Sequence, residues 1–137
     1  MSEEGKRLTL GVPAAVAPRI RSLARIAIGG VMLQYGTAKL FAFPASISGG
    51  APLPPLILVS GYLEFIFGLI LALGFGTRIA ALILSVEMAI AYVTFHAPKG
   101  AWPILNGGNL PIVLSFALLI IAAEGGGPWG LDGLRRR

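Results

Sequence analysis

The stretch Gly61-Tyr62-Leu63-Glu64-Phe65-Ile66-Phe67-Gly68-Leu69-Ile70-Leu71 places one carboxylate inside an otherwise unbroken apolar run. Followed outward, the run extends from Leu53 to Phe75. At about 1.5 Å per helical residue, that is enough to cross a hydrocarbon core of about 30 Å. Three more runs of similar length stand beside it, at Leu23–Phe43, Arg78–Ala97 and Ile104–Ala123. The 137 residues are 55% hydrophobic and 12% charged, with a mean hydropathy of +0.81. A soluble domain carries about 25% charged residues. So short a chain also lacks the interior volume to hide this much apolar surface from water. The expected fold is therefore all-α, an integral membrane bundle of four antiparallel transmembrane helices.

The connectors FPASISGGAPLPP (43–55), GFGTR (74–78) and HAPKGAWPILNGG (96–108) are rich in proline and glycine, which end helices where backbone can be solvated. Three regions result. Residues 1–22 form a polar, proline-broken N-terminal segment, 23–123 the transmembrane domain, and 124–137 a basic C-terminal tail with Trp129 near an interface. No signal-peptide cleavage pattern follows the first run, which is therefore read as a retained helix. Lys6, Arg7, Arg19, Arg21, Arg25, Arg78, Arg135, Arg136 and Arg137 fall on one side of this topology, and only Lys39 and Lys99 on the other. The positive-inside rule then puts both termini in the cytoplasm. The same basic flanks account for the net charge of +5 without a nucleic-acid partner. The expected partner of the basic flanks is the lipid bilayer.

Glu64 and Glu87 each lie about 14 Å deep along their helices, near the membrane midplane. Gln34 and Tyr35 fall at a similar depth. Lys39 is shallower, but its stem reaches inward by about 6 Å, toward Glu64. Helical spacing sets Glu64 on a stripe with Ser60, Gly61, Gly68 and Ala72. It sets Lys39 with Gly29, Met32 and Gly36, and Glu87 with Ala80, Leu84, Ala91 and Thr94. Small residues allow close helix approach in membranes, so these stripes should face the protein interior rather than lipid. Ionisable residues inside a membrane mark function more often than packing. The plainer alternative is that Glu64, as a neutral acid or a partner of Lys39, only locks the helices together.

Arg78 in the GFGTR turn is expected to anchor a helix end, and Arg25 to snorkel to the same interface. His96 is placed near the opposite interface in a capping or relay role. On an ideal helix it points away from Glu87, and no metal site is expected. The chain has no cysteine and one histidine. It therefore cannot supply thiolate clusters, disulfides or a pair of haem imidazoles by itself.

QYGTAKLFAFP (34–44), GYLEFIFGLILALGFGTRIAALIL (61–84), AYVTFHAPKGAWPILNGGN (91–109) and GGGPWGLD (125–132), taken in order, resemble the DoxX family of small bacterial membrane proteins. The resemblance implies a four-helix membrane protein of the bacterial cytoplasmic membrane, associated with oxidoreductase systems. Among these is quinone-linked thiosulfate oxidation by DoxD relatives. The family pattern picks out Gly36, Lys39, Gly61, Glu64 and Arg78. Where many members read Asn-Gly-Gly-Glu, this chain reads Asn106-Gly107-Gly108-Asn109, with an amide in place of a carboxylate.

Together these features lead to the expectation of a non-autonomous membrane subunit of a quinone-linked oxidoreductase. Glu64 and Lys39 are its expected catalytic groups, and Gln34, Tyr35, Glu87 and Asn109 its ligand-binding ones. A quinone is the expected diffusible cofactor, with electrons arriving from a soluble or peripheral redox partner. Two other readings stay open. One is a proton-coupled carrier or binding protein for a lipid or small amphipathic molecule, which with four helices would need a homo-oligomer. The other is a scaffold for a soluble enzyme.

Overall fold

The computed structural model describes residues 11–135. All regular structure among them is helical, with no strand. Helix α1, Ala17–Phe41, opens with a proline in its first turn and closes at Ala42 in the left-handed region, whose N–H bonds to the Thr37 carbonyl. The helix thus begins inside the segment expected to be irregular, because Ala17-Pro18 starts a helix well. Helix α2, Pro55–Leu73, follows Pro54 and ends at Gly74, at φ +73°. There the N–H groups of Gly74 and Phe75 both reach back to the Ile70 carbonyl.

Helix α3, Thr77–Ala91, runs directly into a π-helical turn, Tyr92–His96, and a 3-10 turn, Ala97–Lys99. Next come a single turn α4, Pro103–Asn106, helix α5, Asn109–Glu124, and a last turn α6, Leu131–Leu134. The apolar run expected over Ile104–Ala123 is therefore not one helix. Gly107, at φ +75°, ends α4 and the chain restarts at Asn109. This leaves α5 at 16 residues.

Helix α1 packs antiparallel along α2, and α3 along α5. The first contact is backbone against backbone. The α-carbon of Gly36 sits on Phe65, and a β-carbon built on Gly68 would lie 2.7 Å from the Leu33 nitrogen. The second is tied by a reciprocal pair, in which Ser85 Oγ donates to the Ser115 carbonyl at 2.7 Å and Ser115 Oγ to the Ser85 carbonyl at 3.0 Å. Met32, Leu71, Leu84, Met88, Leu114, Leu118 and Ile121 fill the space between the four. The outward surface is strongly apolar, with Ile79, Val113 and Phe116 among the exposed side chains. Two helical runs, Pro55–Leu73 and Thr77–Lys99, are long and apolar enough to cross a membrane.

The chain beyond Glu124 is not a free tail over its described length. It folds back against the end of the molecule that carries the 74–78 turn. Asp132 accepts from the N–H groups of Gly76 and Thr77, each at 2.9 Å, and its own N–H donates to the Gly74 carbonyl at 2.8 Å. Lys6, Arg7, Arg136 and Arg137, counted in the charge asymmetry, lie outside the described residues.

Candidate functional site

Lys39 and Glu64 are 25 residues apart in sequence and meet because α1 and α2 touch through glycine. The β-carbon of Lys39 lies against Gly61, at 2.9 Å from where a side chain there would start. This directs the lysine stem along α2 toward the next turn. Its Nζ donates to Glu64 Oε1 at 2.8 Å and to Ser60 Oγ at 2.9 Å, and the Ser60 hydroxyl donates in turn to the Ile57 carbonyl at 2.7 Å. Glu64 is 1% exposed and Glu87, across on α3, 9% exposed. The two carboxyl groups stand within hydrogen-bonding reach of each other. The second oxygen of each, Glu64 Oε2 and Glu87 Oε2, is buried and receives no hydrogen bond.

Both residues line a cavity of about 400 Å³ whose polar lining is Tyr35, Lys39, Ser60, Glu64, Glu87 and His96. Leu110, Pro111 and Leu114 of α5 form part of its apolar wall. A neighbouring groove of about 460 Å³ lies between α2 and α3, lined by Leu56, Val59, Leu63, Leu82, Val86 and Ile90 among others. The two share Ser60, Glu87, Ala91 and Phe95. The cavity thus forms a chamber that adjoins an apolar slot, with Glu87 in the wall they share.

His96 reaches this chamber although ideal periodicity turns it away from Glu87. The reason is the π-helical turn Tyr92–His96. An i→i+5 turn takes up one residue more than an α-helical turn, which rephases everything beyond it by about 100°. His96 Nδ1 lies 3.0 Å from the Asn106 carbonyl oxygen, and its ring stacks on Tyr92 at 6.3 Å between centroids. Asn106 closes the same corner. Its amide donates to the Gly100 carbonyl at 2.9 Å and to the Tyr92 hydroxyl at 3.3 Å, and its Oδ1 accepts from the Gly108 N–H at 2.8 Å.

Two expected lining residues are elsewhere. Gln34 is exposed, because it falls about 200° around α1 from Gly36, whose face meets α2. Asn109 is exposed at the first turn of α5, and the buried amide of the NGGN stretch is Asn106. Helical spacing could not separate these two asparagines, because a glycine pair sits between them.

At the opposite end Arg25 does not snorkel outward. It is fully buried, and its guanidinium donates to the carbonyls of Gly126 at 3.0 Å, Leu71 at 2.8 Å, Ala72 at 2.7 Å, and Trp129. Arg78 donates to the Ala123 carbonyl at the end of α5, and Arg21 to that of Glu124 at 2.7 Å. Planar guanidinium groups suit such forked bonding to helix-end carbonyls.

The family model described as DoxX matches residues 20–97. An uncharacterized protein of Haemophilus influenzae is 42% identical over 120 residues, spanning 84% of this chain and 90% of its own length. A second uncharacterized protein of that organism is 35% identical over 74 residues, 54% of this chain and 49% of its own. No solved structure matches. The family match takes in Lys39, Glu64, Arg78, Glu87 and His96, and on it and the first relative the chain belongs to the DoxX family of membrane proteins.

Proposed function

We propose that this protein spans the bacterial cytoplasmic membrane four times, as a bundle of α1, α2, α3 and α5 with both termini inside. We propose further that it is the membrane subunit of a quinone-linked oxidoreductase system. The observation behind this reading is the junction of a chamber holding Lys39, Glu64 and Glu87 with an apolar slot between α2 and α3. An amphipathic ring with a hydrocarbon tail needs such a pair of environments, and a volume of about 400 Å³ is in the range of small-molecule sites. Lys39, Glu64 and Glu87 in the cavity lining are polar groups that a bound headgroup can engage.

A quinone supplies two-electron redox chemistry when bound. The chain's own residues would bind and orient the headgroup and move a proton at its oxygen. Glu64 and Glu87 are the acid–base groups, positioned by burial and by each other. Lys39 Nζ offsets negative charge at Glu64 or at a ligand oxygen beside it. Tyr35 and His96 complete the polar wall. With no cysteine and a single histidine in the chain, electrons would come from a partner protein.

The test is purification in native-lipid nanodiscs and mass spectrometry of co-purifying small molecules, for the wild type and Glu64→Gln. A quinone enriched in the wild type and lost in the variant is the expected result. No quinone in either would overturn the redox reading. A different amphipathic molecule would favour a carrier, and a protein partner retained by both forms would favour a scaffold.

A further inference from the structure

Lys39, Glu64 and Glu87 put three ionisable groups in one small buried volume, and their hydrogen bonds do not close if all three are charged. An ionised carboxylate only accepts, so two of them facing each other cannot satisfy one another. Every nearby donor is committed or out of reach. From α1, two of the three Lys39 Nζ donors go to Glu64 Oε1 and Ser60 and none reaches either free oxygen, and Tyr35 lines the cavity without bonding either of them. From α2, the Ser60 proton goes to Ile57. From the π turn, His96 Nδ1 faces Asn106, and no hydrogen bond from His96 reaches either oxygen. Leu110, Pro111 and Leu114, the part of the cavity wall that α5 supplies, carry no titratable group.

Charge leads to the same answer. One ammonium balances one carboxylate, and a second negative charge here would be buried without a counter-ion, which is costly.

We infer that Glu64 and Glu87 bind one exchangeable proton between them, forming a carboxylic acid–carboxylate pair that carries a single negative charge opposite Lys39. The proton supplies the donor that both free oxygens lack. It sits on the cavity wall, within reach of any headgroup that enters, whatever that ligand is.

The charge balance predicts how many neutral acids each variant holds. Lys39 needs one anion, so deleting either carboxyl leaves the other ionised. Deleting the lysine leaves both protonated. The measurement is the infrared carboxylic-acid C=O band of the full-length protein in lipid nanodiscs at neutral pH, in H2O and D2O, quantified per chain. The wild type should show one such acid, with its band shifted in D2O. Glu64→Gln and Glu87→Gln should each show none, and Lys39→Met should show two. Both glutamine variants keep the side-chain shape, and size-exclusion elution and helicity confirm their folding. A wild type with no acid band, or with two, overturns the inference. So does a band that survives in either glutamine variant. None of these outcomes depends on whether a quinone binds.

Discussion

Arg25 of the first helix donates a hydrogen bond to the carbonyl of Trp129, more than a hundred residues further on. The same guanidinium holds the last-turn carbonyls of Leu71 and Ala72, so one side chain joins the start of α1, the end of α2 and the chain after α5. Ser22, one turn earlier, accepts from the Trp129 N–H at 3.1 Å. Removing the guanidinium takes a donor from the half-buried carbonyls of Ala72, Gly126 and Trp129, and leaves the Leu71 carbonyl only the Gly74 N–H. We expect Arg25→Ala to cost about 3–5 kcal/mol, the range for breaking a buried charged network. Arg25→Lys should recover less than half of this, because a lysine cannot fork across carbonyls on both sides. Thermal unfolding in detergent or nanodiscs measures both. Wild-type stability in Arg25→Ala would show that the clasp is ornamental to the fold.

Asp132 pins the other side of that segment, and it does so as a charged cap. Partial burial opposes its ionisation, but the N–H groups of Thr77 and Gly76, the Thr77 hydroxyl and nearby Arg135 outweigh it and hold the carboxyl below its ordinary range. A carboxyl whose folded pKa is depressed contributes stability that is complete above the unfolded pKa. That contribution is lost as pH falls through the folded value. The cap should therefore contribute fully at pH 7 and fade below about pH 4. Asp132→Ala is expected to lower stability by about 1 kcal/mol at neutral pH. The gap between it and the wild type should close on acidification. Melting curves of the two proteins from pH 7 to pH 3 test this, and a gap that stays constant would mean the ionised carboxylate is not the capping group.

How much of this could be read beforehand depends on which partner a residue has. The meeting of Lys39 with Glu64 was legible, because both partners are side chains on small-residue stripes and depth is additive along a helix. The burial of Glu87 was legible for the same reason. The place of Arg25 was not, because its partners are backbone carbonyls of a turn and of a segment after α5, and any sequence supplies carbonyls. The facing of His96 was not legible, because a single π turn resets the helical phase and no residue type in Tyr-Val-Thr-Phe-His marks that turn. The break at Asn106-Gly107-Gly108 was visible as a turn, yet its position within the last apolar run decided that Asn106, not Asn109, would be buried.

Gly36 and Gly30 make a matched pair for testing how tightly α1 and α2 must meet. A β-carbon on Gly36 would collide with the backbone of Phe65, one residue from Glu64, whereas one on Gly30 would meet nothing within 4 Å. Gly36→Ala should therefore destabilise by about 1–3 kcal/mol through overpacking, and it should also part Lys39 from Glu64. Gly30→Ala should be neutral or stabilising by up to about 1 kcal/mol, since alanine is the better helix former. Parallel unfolding curves decide it. Equal effects of the two substitutions would show that the helix contact tolerates a methyl group.

The absence of cysteine makes the proposed orientation testable one residue at a time. Ala45 and Ala101 are exposed in the connectors at the Glu64 end, and Ala14 and Arg135 are exposed at the Arg25 end. If the excess of arginine near Arg25 keeps that end in the cytoplasm, a membrane-impermeant maleimide added to intact spheroplasts should label Ala45→Cys and Ala101→Cys. Ala14→Cys and Arg135→Cys should react only after the membrane is opened. Labelling of Ala14→Cys from outside would invert the topology. Protection of one connector but not the other would remove the four-span arrangement and, with it, the placement of Glu64 and Glu87 near the membrane midplane.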